Sequence, residues 1–327
     1  MKYVFCSVFD KGFLNRGLAL YHSVAKNCHE PFRHFILCLD DEAYEILQAL
    51  KLPGLVAVAR HEWETDELKA VRATRSFAEY CWTLSAVSTA YTLERNPDAE
   101  TVAYLDADLF FYNSLAPIYD AFEGHSTLII PHHVTNQQKE RETKVGKYNV
   151  GMLIFRNDTD GRACLAWWRD RCVEWCYDKP EPTRYGDQKY LDYFEEKFKG
   201  VYVLPFKGAC LARWNLASYT GKFRLENGTL MVEDEPVYFF HFSIFKIYWP
   251  SSSWLPWGPP SLYTAPSAER EILFRPYADA LYAAMQEIRA IRPDFTAGTL
   301  PRPNWLVQLL DTSLLVTKRN IKRLLGR

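Results

Sequence analysis

The alternation of short apolar runs with helix-period segments over the first sixty residues is the feature that most limits this chain's architecture. Tyr3–Phe9 is a β-branched and aromatic run closed by Asp10 and a Gly12 turn, after which Leu14, Leu18, Tyr21, Val24 and Ala25 recur at helical spacing. Residues 34–39 predict a second buried strand, 42–50 a helix and 54–59 a third strand. Strand, helix and strand in succession need crossover connections, so the expected core is a parallel sheet covered by helices, Rossmann-like but without a glycine-rich dinucleotide fingerprint.

A helix over 76–94 leads into the strand Thr101–Leu105, which ends on Asp106, Ala107 and Asp108. Further strands are expected at 127–130, 150–155, 201–204 and 237–242, and helices at 164–177 and 188–198. The proline-rich stretch 251–266 has no regular period and separates a domain over 1–250 from a helical extension over 267–327. With 327 residues the chain can bury a substantial core, and a formal charge of -1 leaves no overall footprint for nucleic acid. Eight cysteines without a CxxC pair argue against a disulfide framework. The opening MKYVFCSVFD reads as a first strand rather than a signal segment, and no apolar run approaches the roughly 20 residues that span a bilayer. The expected location is the cytoplasm, with peripheral contact on the inner face of the membrane.

Two carboxylates at i and i+2 in a turn can reach one hard divalent cation. In YLDADLFFY they stand between two apolar runs, where a pair of unneutralised carboxylates is costly. The alternative for Asp106 and Asp108 is a solvated acidic turn. HFSIFK supplies His241, a competent ligand for Mn-type ions, and Lys246, which can meet a phosphate as a point charge. Taken singly, they also read as a hydrogen-bonded turn histidine and a surface lysine. In YGDQK a glycine turn precedes Asp187 and Gln188, polar side chains that can meet a ligand's hydroxyls, or, for Asp187, a helix cap. In Asn149-Val150-Gly151 the glycine permits close backbone approach and Asn149 offers both donor and acceptor, against the simpler reading of a strand start.

Taken in order, FCSVFD, YLDADLFFY, YNVGMLIFRN, YGDQKYLDYF and HFSIFK resemble the motifs of the retaining glycosyltransferases of the family 8 type, over about residues 1–250. The resemblance implies a GT-A fold: α/β, with a Rossmann-like, mostly parallel central sheet flanked by helices, here followed by a C-terminal helical extension. It implies a nucleotide-sugar donor, usually a UDP-sugar, and Mn²⁺ or Mg²⁺ held by Asp106, Asp108 and His241. Val8, Phe9 and Asp10 would lie near the nucleoside, Asp106, Ala107 and Lys246 toward the diphosphate, and Asn149, Asp187 and Gln188 around the transferred sugar. Asp187 and Gln188 would be the catalytic pair, shielding a short-lived oxocarbenium-like species while the acceptor attacks on the same face.

The chain departs from that pattern in two places. Where family members often carry an arginine in the helix before the DxD strand, it has Tyr80-Cys81-Trp82-Thr83, with Arg72 and Arg75 just upstream. Its histidine motif lacks the usual glycine and Lys-Pro-Trp, reading Ser243, Phe245, Lys246 and then Ile247-Tyr248-Trp249-Pro250. The expected acceptor is a glycan or a lipid-linked glycan. Leu306, Leu310, Leu314, Ile321 and Leu325 recur at helical spacing beside Lys318, Arg319, Lys322, Arg323 and Arg327, a basic amphipathic pattern that suits an anionic membrane, the catalytic domain or a second subunit. Two other classes compete. A nucleotidyltransferase acting on sugar phosphates would want a basic, glycine-rich triphosphate loop, for which residues 9–16 are a weak match, and a non-catalytic sugar-binding protein would use the aromatics without a metal.

Overall fold

The computed structural model describes residues 1–134, 139–250, 254–255 and 269–301. Tyr3–Phe9 (β1) is buried along its whole length because both of its faces are covered. Val4, Cys6 and Val8 enter one apolar cluster, and Tyr3, Phe5 and Phe9 enter those on the opposite face. Then follow α1 (Leu14–Asn27), β2 (Phe32–Cys38), α2 (Asp41–Leu50) and β3 (Leu55–Val58), the expected alternation with ends shifted by a few residues at most. Two short helices that the sequence reading lacked, α3 (Arg60–Trp63) and α4 (Asp66–Ala73), precede α5 (Phe77–Arg95). They bury only Trp63 and Leu68, so no apolar stripe announces them. α5 starts from a capping box in which Ser76 and Glu79 satisfy each other's backbone N–H.

Next come β4 (Thr101–Leu105), β5 (Leu109–Phe111), α6 (Ala116–Ala121), β6 (Thr127–Pro131), α7 (Lys139–Val145), β7 (Tyr148–Arg156) and α8 (Thr159–Glu174). Later elements include α9 (Phe194–Lys197), β8 (Val201–Val203), β9 (Leu211–Ala212), β10 (Phe223–Glu226), β11 (Thr229–Val232), β12 (Glu235–Pro236), β13 (Phe239–His241), β14 (Lys246–Trp249) and α10 (Arg275–Ile291). The central sheet has seven strands in the order β3-β2-β1-β4-β7-β6-β8. All run parallel except β7, which pairs antiparallel with β4 and β6. This is the mostly parallel, helix-flanked sheet expected. A smaller sheet, in the order β5-β13-β9, stands beside it.

The helix expected over 188–198 is instead a 3-10 turn, Lys189–Tyr193, followed by the single turn of α9. The tighter winding sets Lys189 and Asp192 one above the other, and both side chains bond backbone groups of the segment 143–147. From the expected extension, α10 packs on α1, and its Tyr277, Leu281, Met285 and Ile288 share one core with Phe9, Leu14 and Leu18. The expected loop 251–266 is described only at Trp254–Leu255, and the basic segment 302–327 lies outside the described residues. No helix among the described residues is long and apolar enough to cross a membrane. All eight cysteines are free thiols.

Candidate functional site

β1 and β4 are neighbours, but from β1 the sheet runs outward through β2 and β3 and from β4 through β7 and β6. Ligands of open α/β sheets gather outside the carboxyl ends of strands at such a switch point. Here both ends open into one cleft of about 480 Å³, lined by Val8 and Phe9 of β1 with Asp10 just after it, and by Asp106, Ala107 and Asp108 from the turn after β4.

The turn reverses at once into β5, which pairs antiparallel with β13 so that His241 stands opposite Leu109. The Phe242 N–H donates to the Asp108 carbonyl at 2.9 Å, extending the pairing to the turn itself. That register carries the imidazole to the two carboxylates. His241 Nε2 lies 3.0 Å from Asp108 Oδ1 and 3.5 Å from Asp106 Oδ2, and one ligand atom from each of the three residues lies within 4.8 Å of the others.

The surrounding hydrogen bonds decide what that imidazole offers. The Gly151 N–H donates to Asn149 Oδ1 at 2.8 Å, which fixes the carboxamide with its oxygen toward His241 Nδ1, 3.3 Å away. Nδ1 therefore carries the proton, and the Nε2 lone pair faces the carboxylates. Two carboxylate oxygens and a lone pair turned on one point fit a divalent cation. Without one, a proton fills the role: burial pushes the His241 pKa down, but Asp108 and Asp106 outweigh it and hold it well above the ordinary value. Burial raises the Asp106 carboxyl, with Asp108 adding and His241 opposing. At Asp108 burial also pushes upward, yet His241 prevails and the carboxyl is held low. Gly151 is needed for this approach, since a Cβ there would stand 2.5 Å from Asn149 Oδ1 and 3.0 Å from His241 Nδ1.

Asp187 and Gln188 line another part of the same cleft. Gly186, at φ +49, turns the chain against Trp82, and the indole N–H of buried Trp168 donates to the Asp187 carbonyl at 2.9 Å. Burial, then the charge of Asp106, pushes the Asp187 carboxyl up to about 7. The N-cap position of the 3-10 turn that follows is held by Gln188, so Asp187 stands one residue before it. Gln188 Nε2 donates to the Val145 carbonyl at 2.6 Å.

Lys246 opens β14 and is not among the side chains lining the cleft. Burial, then the charge of Arg16, holds its ammonium below the usual lysine value, while Asp108 acts in the opposite direction. Arg72 pairs with Glu64 at 3.0 Å and Arg75 donates to the carbonyls of Cys172 and Val173, so neither enters the cleft, whose lining there is Cys81 and Trp82.

Tyr104 opens the motif YLDADLFFY without a role read from the sequence, and its hydroxyl donates to Asp106 Oδ1 at 2.8 Å. Its position two residues before Asp106 was the available signal, because alternate strand residues share a face. His132, Arg141 and Trp214 also line the cleft. They arrive from distant segments, and only the topology brings them in.

No protein-family model matches the chain. It is 35% identical over 254 residues to the uncharacterised protein YfnF of Bacillus subtilis (strain 168), spanning 76% of this chain and 83% of the relative. It is 29% identical over 300 residues to YfnD of the same organism, spanning 91% and 94%. Among solved structures it resembles the galactosyltransferase LgtC, in complex with donor and acceptor sugar analogs, with a TM-score of 0.52 and 17% identity over 85% of this chain and 95% of that one. The strand order, the cleft at its switch point and these similarities lead to one conclusion: the chain belongs to the family of Bacillus subtilis YfnF and is built on the GT-A glycosyltransferase fold.

Proposed function

We propose that this protein is a metal-dependent, retaining glycosyltransferase of hexosyltransferase type that moves a sugar from a nucleoside-diphosphate donor, a UDP-sugar, to a glycan or lipid-linked acceptor. The observation that carries the reading is the convergence of Asp106, Asp108 and His241 at the carboxyl ends of strands in a GT-A cleft. Those three residues would hold Mn²⁺ or Mg²⁺, and when bound such an ion supplies positive charge against a departing diphosphate. Asn149 stands by the transferred sugar from the cleft lining, and its Oδ1 beside His241 Nδ1 also holds the ligand imidazole in the correct tautomer. Val8, Phe9 and Asp10 accept the nucleoside, and Lys246 adds cationic charge toward the diphosphate. Asp187 and Gln188 face the sugar.

A carboxyl held near 7 can meet a sugar hydroxyl as either donor or acceptor, which suits Asp187 for gripping the transferred ring. Gln188 is a poor nucleophile, so a short-lived cationic sugar flanked by Gln188 and Asp187 is favoured over a covalent adduct. A panel of nucleotide sugars hydrolysed in the presence of Mn²⁺ tests the assignment. Turnover of one UDP-sugar, lost in Asp106→Asn and in Asp108→Asn while the circular dichroism spectrum is kept, is the expected result. Equal turnover by both variants would remove the metal site from the reaction, and the anomeric configuration of the product, read by NMR, decides retention.

A further inference from the structure

Lysine is almost never fully buried unless its ammonium is partnered, yet Lys189, directly after Gln188, is 5% exposed. Its Nζ donates to three carbonyls, those of Thr143 at 2.7 Å, Lys144 at 3.1 Å and Glu181 at 3.1 Å. Two of them belong to the last turn of α7.

A helix leaves its last four carbonyls without intrahelical partners, and each needs a donor from elsewhere. In α7 all four are accounted for. The Glu142 carbonyl accepts from the Gly146 N–H at 2.8 Å, Thr143 and Lys144 accept from Lys189 Nζ, and Val145 accepts from Gln188 Nε2. Just beyond, the Lys147 N–H donates to Asp192 Oδ1 at 2.8 Å. Gly146 makes the contact close enough: it sits at φ +106, and a Cβ there would stand 3.0 Å from Lys189 Cα. One face of the 3-10 turn after Asp187 is therefore given over to capping α7, the short helix that brings Arg141, Glu142 and Val145 to the cleft.

Building on the proposed glycosyl transfer, we infer that Lys189 is a positioning residue: it ties the end of α7 and the loop at Glu181 to the Asp187–Gln188 segment, fixing the sugar-facing wall of the cleft while leaving the metal wall alone. The metal ligands stand on the β4 turn and β13, and the nucleoside-facing residues on β1, none of which Lys189 touches through a hydrogen bond. Removing the ammonium should loosen one wall without weakening the grip of the other.

The test is Lys189→Met, which keeps an unbranched stem and removes the three hydrogen bonds, compared with the wild-type full chain in two measurements. Hydrogen exchange reads the clamp directly. Amides of 139–147 and 181–188 should exchange about 10-fold faster while those of 101–105 stay unchanged, the loss of about 1.4 kcal/mol of local protection. Unchanged exchange in both segments overturns the inference, and so does a comparable rise in 101–105. For the reaction, kcat for donor hydrolysis should fall about 10-fold while the affinity for UDP with Mn²⁺, measured by calorimetry, stays within about 2-fold. A parallel loss of nucleotide affinity, or an unchanged kcat, also overturns it. A wild-type protein that neither binds nor turns over any nucleotide sugar would count against the proposed activity instead, and the exchange measurement would still decide the clamp.

Discussion

His34 on β2 and His241 on β13 are the same residue type at nearly the same burial, 0% and 7% exposed, and the protein drives them to opposite states. Among the described residues, the one hydrogen-bond partner of the His34 ring is Ser7. The Ser7 hydroxyl gives its one hydrogen to the Leu105 carbonyl at 2.7 Å, so at 2.9 Å it must accept from His34 Nε2–H, and Nδ1 is left with no partner among the described residues. Nothing there favours a cation, and burial pulls the pKa down to about 3. At His241 the hydrogen bond is on the other nitrogen, and Nε2 is turned on two carboxylates. Burial of a histidine therefore carries no functional meaning by itself. The atoms facing each ring nitrogen decide whether the residue ties two strands together or completes a cation site.

The strongest way to break the contrast is to remove one carboxylate. Asp108→Asn should lower Mn²⁺-dependent donor turnover about 1000-fold, about 4 kcal/mol of transition-state stabilisation, in a direct hydrolysis assay. A variant with wild-type turnover would return His241 to the same class as His34.

Acid sharpens the other side. His34 stays neutral in the fold but takes up a proton in the unfolded chain below about pH 6.5, so stability present above that pH is lost as the pH falls toward 3. Urea unfolding should show a His34 share of about 2 kcal/mol lost between pH 6.5 and 5. His34→Gln should flatten that slope, and an unaltered slope would show that the imidazole is not held neutral.

A smaller effect is expected from Gly151→Ala. Its methyl group would displace Asn149 and His241 and weaken Mn²⁺ affinity about 10-fold by calorimetry, the usual scale for disturbing the partner of a ligand imidazole. Smallest of all, Ser7→Ala should cost about 1 kcal/mol of stability in the same urea titration and leave Mn²⁺ affinity untouched. Loss of metal binding in that variant would show that the two histidines are coupled.

The same contrast explains how much could be read from the residues in order. β1 and β2 announce themselves as continuous apolar runs and α1 and α2 by apolar residues at helical spacing, and the Asp106–Asp108 turn stands out because it interrupts such a run. α3 and α4 escape notice because one buried side chain apiece makes no period. Within the site, the three metal-facing residues were visible as strand-end motifs, and the structure brings them to one point. Asn149 was legible as a cleft residue, but its bond to His241 was not, since that depends on the β5–β13 register. Nor were the hydrogen bonds of Gln188, itself legible as a cleft residue, and of Lys189, whose partners are carbonyls some 45 residues earlier, a pairing that backbone groups without side-chain identity cannot advertise.

Calorimetric titration of UDP into the full chain, with Mn²⁺ and then with a chelator in its place, tests the central claim most directly. Binding that appears with Mn²⁺, vanishes with the chelator and is absent in Asp108→Asn is the predicted result. UDP affinity that is the same with and without the metal, or unchanged in Asp108→Asn, would contradict it.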